Sequence, residues 1–130
     1  MKFVLVGLLL FCGSVWADDA SDDDQLGRKN CRGWNQLTSS QALFYLVGLR
    51  DGILTTAVLV SGAEQTVAFY FPDGSTFGEA QKGINQICAQ PENSNISVIF
   101  AQKAFTLKAH GSKPQEVEEY LRFMRIVNPK

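Results

Sequence analysis

The stretch from Thr38 to Ser61 reads TSSQALFYLVGLRDGILTTAVLVS, and apolar residues dominate it. Thr38 and Gln41 stand at its start in the spacing of a capping box, in which two side chains satisfy the exposed backbone donors of a helix. Two apolar rows then recur at helical spacings of three and four. The rows are Ala42, Leu46, Leu49, Ile53, Ala57 and Val60, and beside them Leu43, Val47, Leu54 and Val58. Two apolar sides predict one long helix at the centre of the fold.

This helix is also long enough to cross a bilayer, since roughly twenty residues span about 30 Å. Arg50 and Asp51 stand at its middle, and each would cost about 2.5 to 3.5 kcal/mol in the hydrocarbon. The two charges therefore predict the central helix of a water-soluble domain, with no membrane insertion.

The third side of the same helix carries small and polar residues: Gln41, Tyr45, Gly48, Gly52 and Thr55, with Asp51 beside them. Two glycines inside a helix each cost about 1 kcal/mol relative to alanine, so the space they leave needs a reason. One interpretation is a second helix that crosses closely over Gly48 and Gly52. The other is a shallow groove for a partner, with the Tyr45 hydroxyl and the Asp51 carboxylate as its polar groups.

The N-terminal residues 1–17 have the pattern of a secretory signal peptide. A basic start precedes the apolar run from Phe3 to Phe11, and small residues at 15 and 17 fit a cleavage site before Asp18. Cys12 raises the alternative of a lipid anchor, but Phe11 stands where that processing needs a small residue. We expect a secreted or periplasmic protein.

Residues 18–33 follow as an acidic leader that begins DDASDDD, and residues 34–130 are predicted to form a single helical domain. The leader has too few apolar side chains to fold by burial. The whole chain has a net charge of −1, and from Gln25 onward a mild positive excess is spread thinly. Neither nucleic acid nor a membrane surface is indicated as a partner.

Cys31 and Cys88 form an even pair in a chain that we expect to be exported, so they predict a disulfide. In the chain-entropy description, closing a loop of this length contributes roughly 4 kcal/mol to stability. No base stands near either cysteine in the sequence, which argues against a catalytic thiol.

The remaining pattern predicts an all-α bundle of about four helices. After the long helix, the aromatic and β-branched run from Val67 to Phe71 is expected to be an extended connection, with Phe69 or Phe71 in the core. A capping box at Thr76 and Glu79 begins a second helix that ends near Ala89. The third helix is predicted from about Ile96 to His110, ending at Gly111, and the fourth begins after a Ser112 cap with Pro114 in its first turn.

No motif for a metal, a phosphate or a catalytic nucleophile occurs in the sequence, so no cofactor is predicted. The segment Tyr45–Gly52 (YLVGLRDG), followed by the layout from Ile87 through Pro91 to Gly111, resembles small exported bacterial helical proteins. These include the Tai-type immunity proteins of type VI secretion. Members of that family usually carry further cysteines that this chain lacks. The resemblance implies an all-helical periplasmic protein that binds another protein and is not an enzyme.

Two functional hypotheses follow. The first is a protein-binding module whose partner docks on Tyr45, Gly48, Asp51 and Gly52. The second is a small hydrolase that uses Asp51 with His110 or with Glu79 as an acid and base pair. The distance from Asp51 to His110 and to Glu79 distinguishes the two hypotheses, because an acid and base pair must share one site.

Overall fold

A computed structural model describes residues 29–60 and 63–129 of the chain. Within these residues the regular structure is helical. The α-helices are α1 (Cys31–Trp34), α2 (Ser39–Val60), α3 (Ala63–Tyr70), α4 (Phe77–Cys88), α5 (Val98–Ala109) and α6 (Pro114–Val127), and a 3-10 helix covers Pro91–Asn93. The all-α prediction is confirmed, with six α-helices in these ranges where about four were expected. The signal peptide, Cys12 and the first part of the acidic leader lie outside the described residues.

The core forms where α4, α5 and α6 meet α1 and the first half of α2. The sequence-predicted apolar faces of α4 and α6 are buried as expected, including Ile84 of α4 and Leu121 of α6. At the start of α4 the capping box is present: the Thr76 backbone N–H donates to the Glu79 carboxylate at 2.8 Å, and the Glu79 N–H donates to the Thr76 hydroxyl at 3.2 Å. Local sequence therefore determines where this helix begins.

A disulfide between Cys31 and Cys88 joins α1 to the end of α4, with an S–S distance of 2.00 Å. The predicted start of the domain at residue 34 is too late, because Cys31 is fully buried. Its backbone N–H donates to the Ile96 carbonyl at 2.8 Å, and the Val98 N–H donates to the Lys29 carbonyl at the same distance. Residues 29–33 thus belong to the folded domain, since they pair with the segment that precedes α5.

Helix α2 is continuous through Arg50, and its predicted capping box is present: the Thr38 N–H donates to the Gln41 side chain at 2.9 Å. The other helices cover only one of its two predicted apolar sides. Ala42 and Leu46 in the first apolar row are buried, but Leu54 and Val58 in the second row are exposed. The other helices pack against one side of α2 only, and its second apolar row faces outward.

The segment Val67–Phe71, predicted to be extended, instead forms the end of α3 and the residue after it. The sequence predicted that either Phe69 or Phe71 would lie in the core. Phe71 is buried, and Phe69 is 51% exposed. The strand propensity of these residues is overridden because α5 satisfies the carbonyls at the end of α3. The Gln102 amide donates to the Tyr70 carbonyl at 2.8 Å, and the Lys103 ammonium donates to the Phe69 carbonyl at 2.9 Å.

The end of α5 matches its prediction, and the start of α6 does not. Gly111 follows α5 with a φ of 81°, the left-handed conformation that glycine adopts without strain. The cap of α6 is one residue later than the predicted Ser112: the Lys113 backbone N–H donates to the Glu116 carboxylate at 3.0 Å, immediately before Pro114. The hydrogen bond to Glu116 therefore places the N-cap of α6 at Lys113.

Candidate binding groove

An open groove of about 690 Å³ runs beside α2. We call it the glycine groove, because Gly48 and Gly52 form its floor. Its lining residues come from α2, α3 and α5: Tyr45, Gly48, Leu49, Gly52, Ile53, Thr56, Tyr70 and Ile99. Most of this surface is apolar, so the groove offers van der Waals contact to an apolar group rather than an array of polar ligands.

Neither glycine of the groove receives a close neighbour from the described part of the chain. A Cβ atom built on Gly48 or on Gly52 would have no heavy atom of these residues within 4 Å. The predicted close crossing of a helix over these two residues is therefore wrong. A close crossing occurs instead at Gly83 of α4, where a Cβ would overlap the ring of Phe105 on α5.

Two polar side chains that border the glycine groove, Tyr45 and Thr56, already have partners within the chain. The Thr56 hydroxyl donates to the Gly52 carbonyl at 2.9 Å. Burial raises the pKa of Tyr45, and a hydrogen bond with the Lys29 backbone opposes this shift. The Tyr45 ring also packs edge-on against Trp34, with 6.1 Å between the centroids. These contacts hold the walls in place and leave the Tyr45 side chain neutral at physiological pH.

The structure brings together three of the four residues that the sequence predicted for a partner site. Tyr45, Gly48 and Gly52 line the glycine groove, but Asp51 does not. Each residue of an α-helix turns about 100° from the one before it, so the carboxylate of Asp51 is directed away from the floor that Gly52 forms. Asp51 is exposed on the outer side of α2.

Sequence reasoning missed Tyr70 and Ile99, which form the opposite wall of the groove. The helical spacing from Tyr45 would have found Leu49, Ile53 and Thr56, because these residues share a side of α2 with the glycines. No comparable signal exists for Tyr70 and Ile99. They reach the groove only because α3 and α5 pack against α2.

The residues of the hydrolase hypothesis do not share one depression with Asp51. Glu79 and His110 line a second depression of about 530 Å³, between α4 and the end of α5, and Asp51 is absent from its lining. The Glu79 carboxylate accepts hydrogen bonds from the Thr76 backbone and hydroxyl, and both bonds lower its pKa. Glu79 is therefore an ionised cap of α4, a poor proton donor near neutral pH.

Over Ser39–Leu59, α2 is the one helix of the described ranges with the length and apolar composition of a membrane span. Only 17% of its most apolar stretch is buried inside the chain. In residues 29–60 and 63–129, no group of three or more histidine, cysteine, aspartate or glutamate residues is placed to bind a metal ion.

Comparison with protein-family models, with curated proteins and with solved structures found no match for this chain. The assignment of a function therefore depends on the geometry of the glycine groove and on the sequence patterns above.

Proposed function

We propose that this chain is a small exported helical protein that acts by binding another protein in the glycine groove. The observation that supports the proposal is the empty space over Gly48 and Gly52, where residues 29–60 and 63–129 supply no neighbour within 4 Å. Two helical glycines lower the stability of α2. A partner that occupies the space they leave would explain why glycine stands at these positions.

The chemistry of the groove favours an apolar segment of a protein as the ligand. Its walls include the tyrosine rings of Tyr45 and Tyr70 and the side chain of Ile99. Aromatic side chains supply large contact areas at protein interfaces. The hydroxyl of Thr56 donates its hydrogen bond to the Gly52 carbonyl of α2. The proposed partner therefore inserts apolar side chains along α2, as an amphipathic helix does.

Export is part of the proposal. The disulfide between Cys31 and Cys88 is consistent with an oxidising compartment, and residues 1–17 have the composition of a signal peptide. Together they support a periplasmic or secreted location. The segment Tyr45–Gly52, which resembles the Tai-type immunity proteins, is the same segment that forms the groove floor. An immunity-like role, in which the chain binds and neutralises another protein, follows from that resemblance.

The test begins by purifying the chain from its native compartment without reductant and identifying the proteins that co-elute. Binding of each purified candidate is then measured against Gly48→Leu and Gly52→Leu. Because a Cβ at either position meets no neighbouring atom, both variants should fold and fill the groove. We expect them to weaken binding by about tenfold or more.

Gly78→Leu is the matched control. Gly78 is also a helical glycine, and the nearest atom to its Cβ would be the Thr76 hydroxyl at an ordinary 3.9 Å. This variant should bind the partner as the wild type does. If Gly48→Leu and Gly52→Leu fold and keep full affinity for every partner, the glycine groove is not the binding site.

A further inference from the structure

The second apolar row of α2 forms an exposed surface on a different side of the helix from the glycine groove. We call it the outward face: Leu43, Val47, Arg50, Asp51, Leu54 and Val58. Leu43 and Leu54 are each 38% exposed, Val58 is 66% exposed, and Val47 is half-buried. At about 1.5 Å per residue, this row extends over roughly 22 Å of the helix.

The order of residues along the outward face is self-complementary. About the midpoint between Arg50 and Asp51, each apolar residue has an apolar counterpart at the same distance on the other side. Leu43 corresponds to Val58, and Val47 corresponds to Leu54. Two copies of α2 that run antiparallel across a two-fold axis at this midpoint would therefore place leucine against valine at four positions.

The two charges at the midpoint obey the same symmetry. Arg50 of one copy would lie against Asp51 of the other, and the symmetry repeats that pair. Both side chains are exposed. The Arg50 guanidinium lies 5.8 Å from the centroid of the Phe77 ring. No hydrogen bond or ion pair to the Asp51 carboxylate comes from the part of the chain that the structure describes. The Asp51 carboxylate is thus available to a second copy, and the exposed Arg50 side chain would have to leave the Phe77 ring to meet it.

We propose that the outward face is the interface of a homodimer, in which two α2 helices pack antiparallel with reciprocal Arg50 to Asp51 ion pairs. A bilayer fits this face poorly, because it would surround both charges with hydrocarbon and supply no counterion. A second copy supplies the opposite charge at the required place. The proposal is independent of the proposed function, because the glycine groove lies on another side of α2 and stays open in such a dimer.

The test is the molar mass of the disulfide-intact chain in solution, measured by light scattering and sedimentation over a range of concentrations. The wild type should show a monomer to dimer equilibrium. Arg50→Asp places two like-charge contacts in the interface, and so does Asp51→Arg. Each single variant should raise the dissociation constant by about a hundredfold or more. The double variant R50D/D51R restores both opposite-charge contacts and should dimerise as the wild type does.

Mixing the two single variants gives a more specific result. Each is expected to be monomeric alone, but Arg50→Asp and Asp51→Arg chains together restore both ion pairs and should form a heterodimer. Ile126→Glu is the control for unspecific association, since Ile126 is 71% exposed and belongs to α6, not to the outward face of α2. A monomeric wild type overturns the proposal. So does a mixture that stays monomeric, or a dimer that Ile126→Glu disrupts. Far-UV circular dichroism of each variant separates loss of the dimer from loss of the fold.

Discussion

Gly83 is a residue at which two helices of this fold approach closely. Its missing side chain makes room for Phe105, whose ring a Cβ at this position would overlap. Gly83→Ala must therefore displace the ring or separate α4 from α5. We expect the free energy of unfolding to fall by about 1 to 3 kcal/mol, the usual cost of overpacking. Urea denaturation measures it.

Alanine at the groove glycines should have the opposite effect. A Cβ at Gly48 or Gly52 meets no heavy atom of the described residues within 4 Å, and alanine has the higher helix propensity. Each substitution should raise the free energy of unfolding by up to about 1 kcal/mol in the same urea experiment. Destabilisation by Gly48→Ala would mean that another part of the chain does pack over the groove.

Tyr120 on α6 should lower the free energy of unfolding at alkaline pH. Burial, and secondarily the nearby phenol of Tyr70, raise its pKa above the ordinary 10.0. The folded chain therefore retains this proton where the unfolded chain loses it, so stability is fully present below pH 10.0 and falls as the pH rises above that value. Tyr120→Phe cannot ionise and should lose less stability above pH 10.0, as urea denaturation at neutral and alkaline pH would show.

The comparison with Tyr120→Phe is needed because Lys103 acts in the opposite direction. Burial lowers the pKa of Lys103 from 10.5, so stability gains from this group as the pH rises toward 10.5. The wild-type slope combines these two effects with that of Tyr45, whose pKa burial also raises, and the difference between wild type and variant isolates Tyr120. Equal slopes for the two proteins would contradict the assignment to Tyr120.

At the scale of elements, the starts and ends of helices were predictable where a few adjacent residues decide them. The capping boxes at Thr38 and Thr76 and the glycine end at Gly111 are such cases. The helix α3 was not predictable in this way. Its sequence favours a strand, and the contacts that stabilise its end come from α5, more than thirty positions later. The sequence of α3 alone does not indicate that α5 will supply these contacts.

Thr106 tests the link between α5 and α3. Its hydroxyl donates to the Tyr70 carbonyl at the end of α3 and also contacts the Gln102 carbonyl of its own helix. Thr106→Val keeps the shape and removes the donor, so we expect a loss of about 0.5 to 1.5 kcal/mol. Faster hydrogen exchange should be confined to α3. Thr55→Val is the matched control, because the Thr55 hydroxyl is exposed and bonds only the Asp51 carbonyl. Unchanged exchange in α3 would show that Thr106 does not stabilise it.

For the whole molecule, the sequence predicted an all-helical domain closed by Cys31 and Cys88, and the structure agrees. It did not predict which side of α2 the domain covers. Leu46 in one apolar row is buried and Leu54 in the other is 38% exposed, although both are leucines at helical spacing. Periodicity identifies apolar sides but not the number of helices available to cover them. The small size of the domain leaves the outward face uncovered, and with it the glycine groove.

The disulfide should therefore supply a large share of the stability of this domain. It joins residues 57 positions apart, and the chain-entropy description assigns about 4 kcal/mol to a loop of that length. We expect Cys31→Ala/Cys88→Ala to lower the free energy of unfolding by about that amount in urea. Adding a thiol reductant should destabilise the wild type similarly and leave the double variant unchanged.

Loss of the disulfide should also disturb the wall of the glycine groove that Tyr45 forms. The Trp34 indole N–H donates to the Asn85 side chain at 2.8 Å, and its ring packs against Tyr45. Both contacts depend on α1, which the Cys31 to Cys88 bond fixes to α4. In the folded double variant, the near-UV circular dichroism of these aromatic rings should weaken and affinity for the partner should fall. A double variant with wild-type stability and an unchanged aromatic signal would show that hydrogen bonds alone position α1.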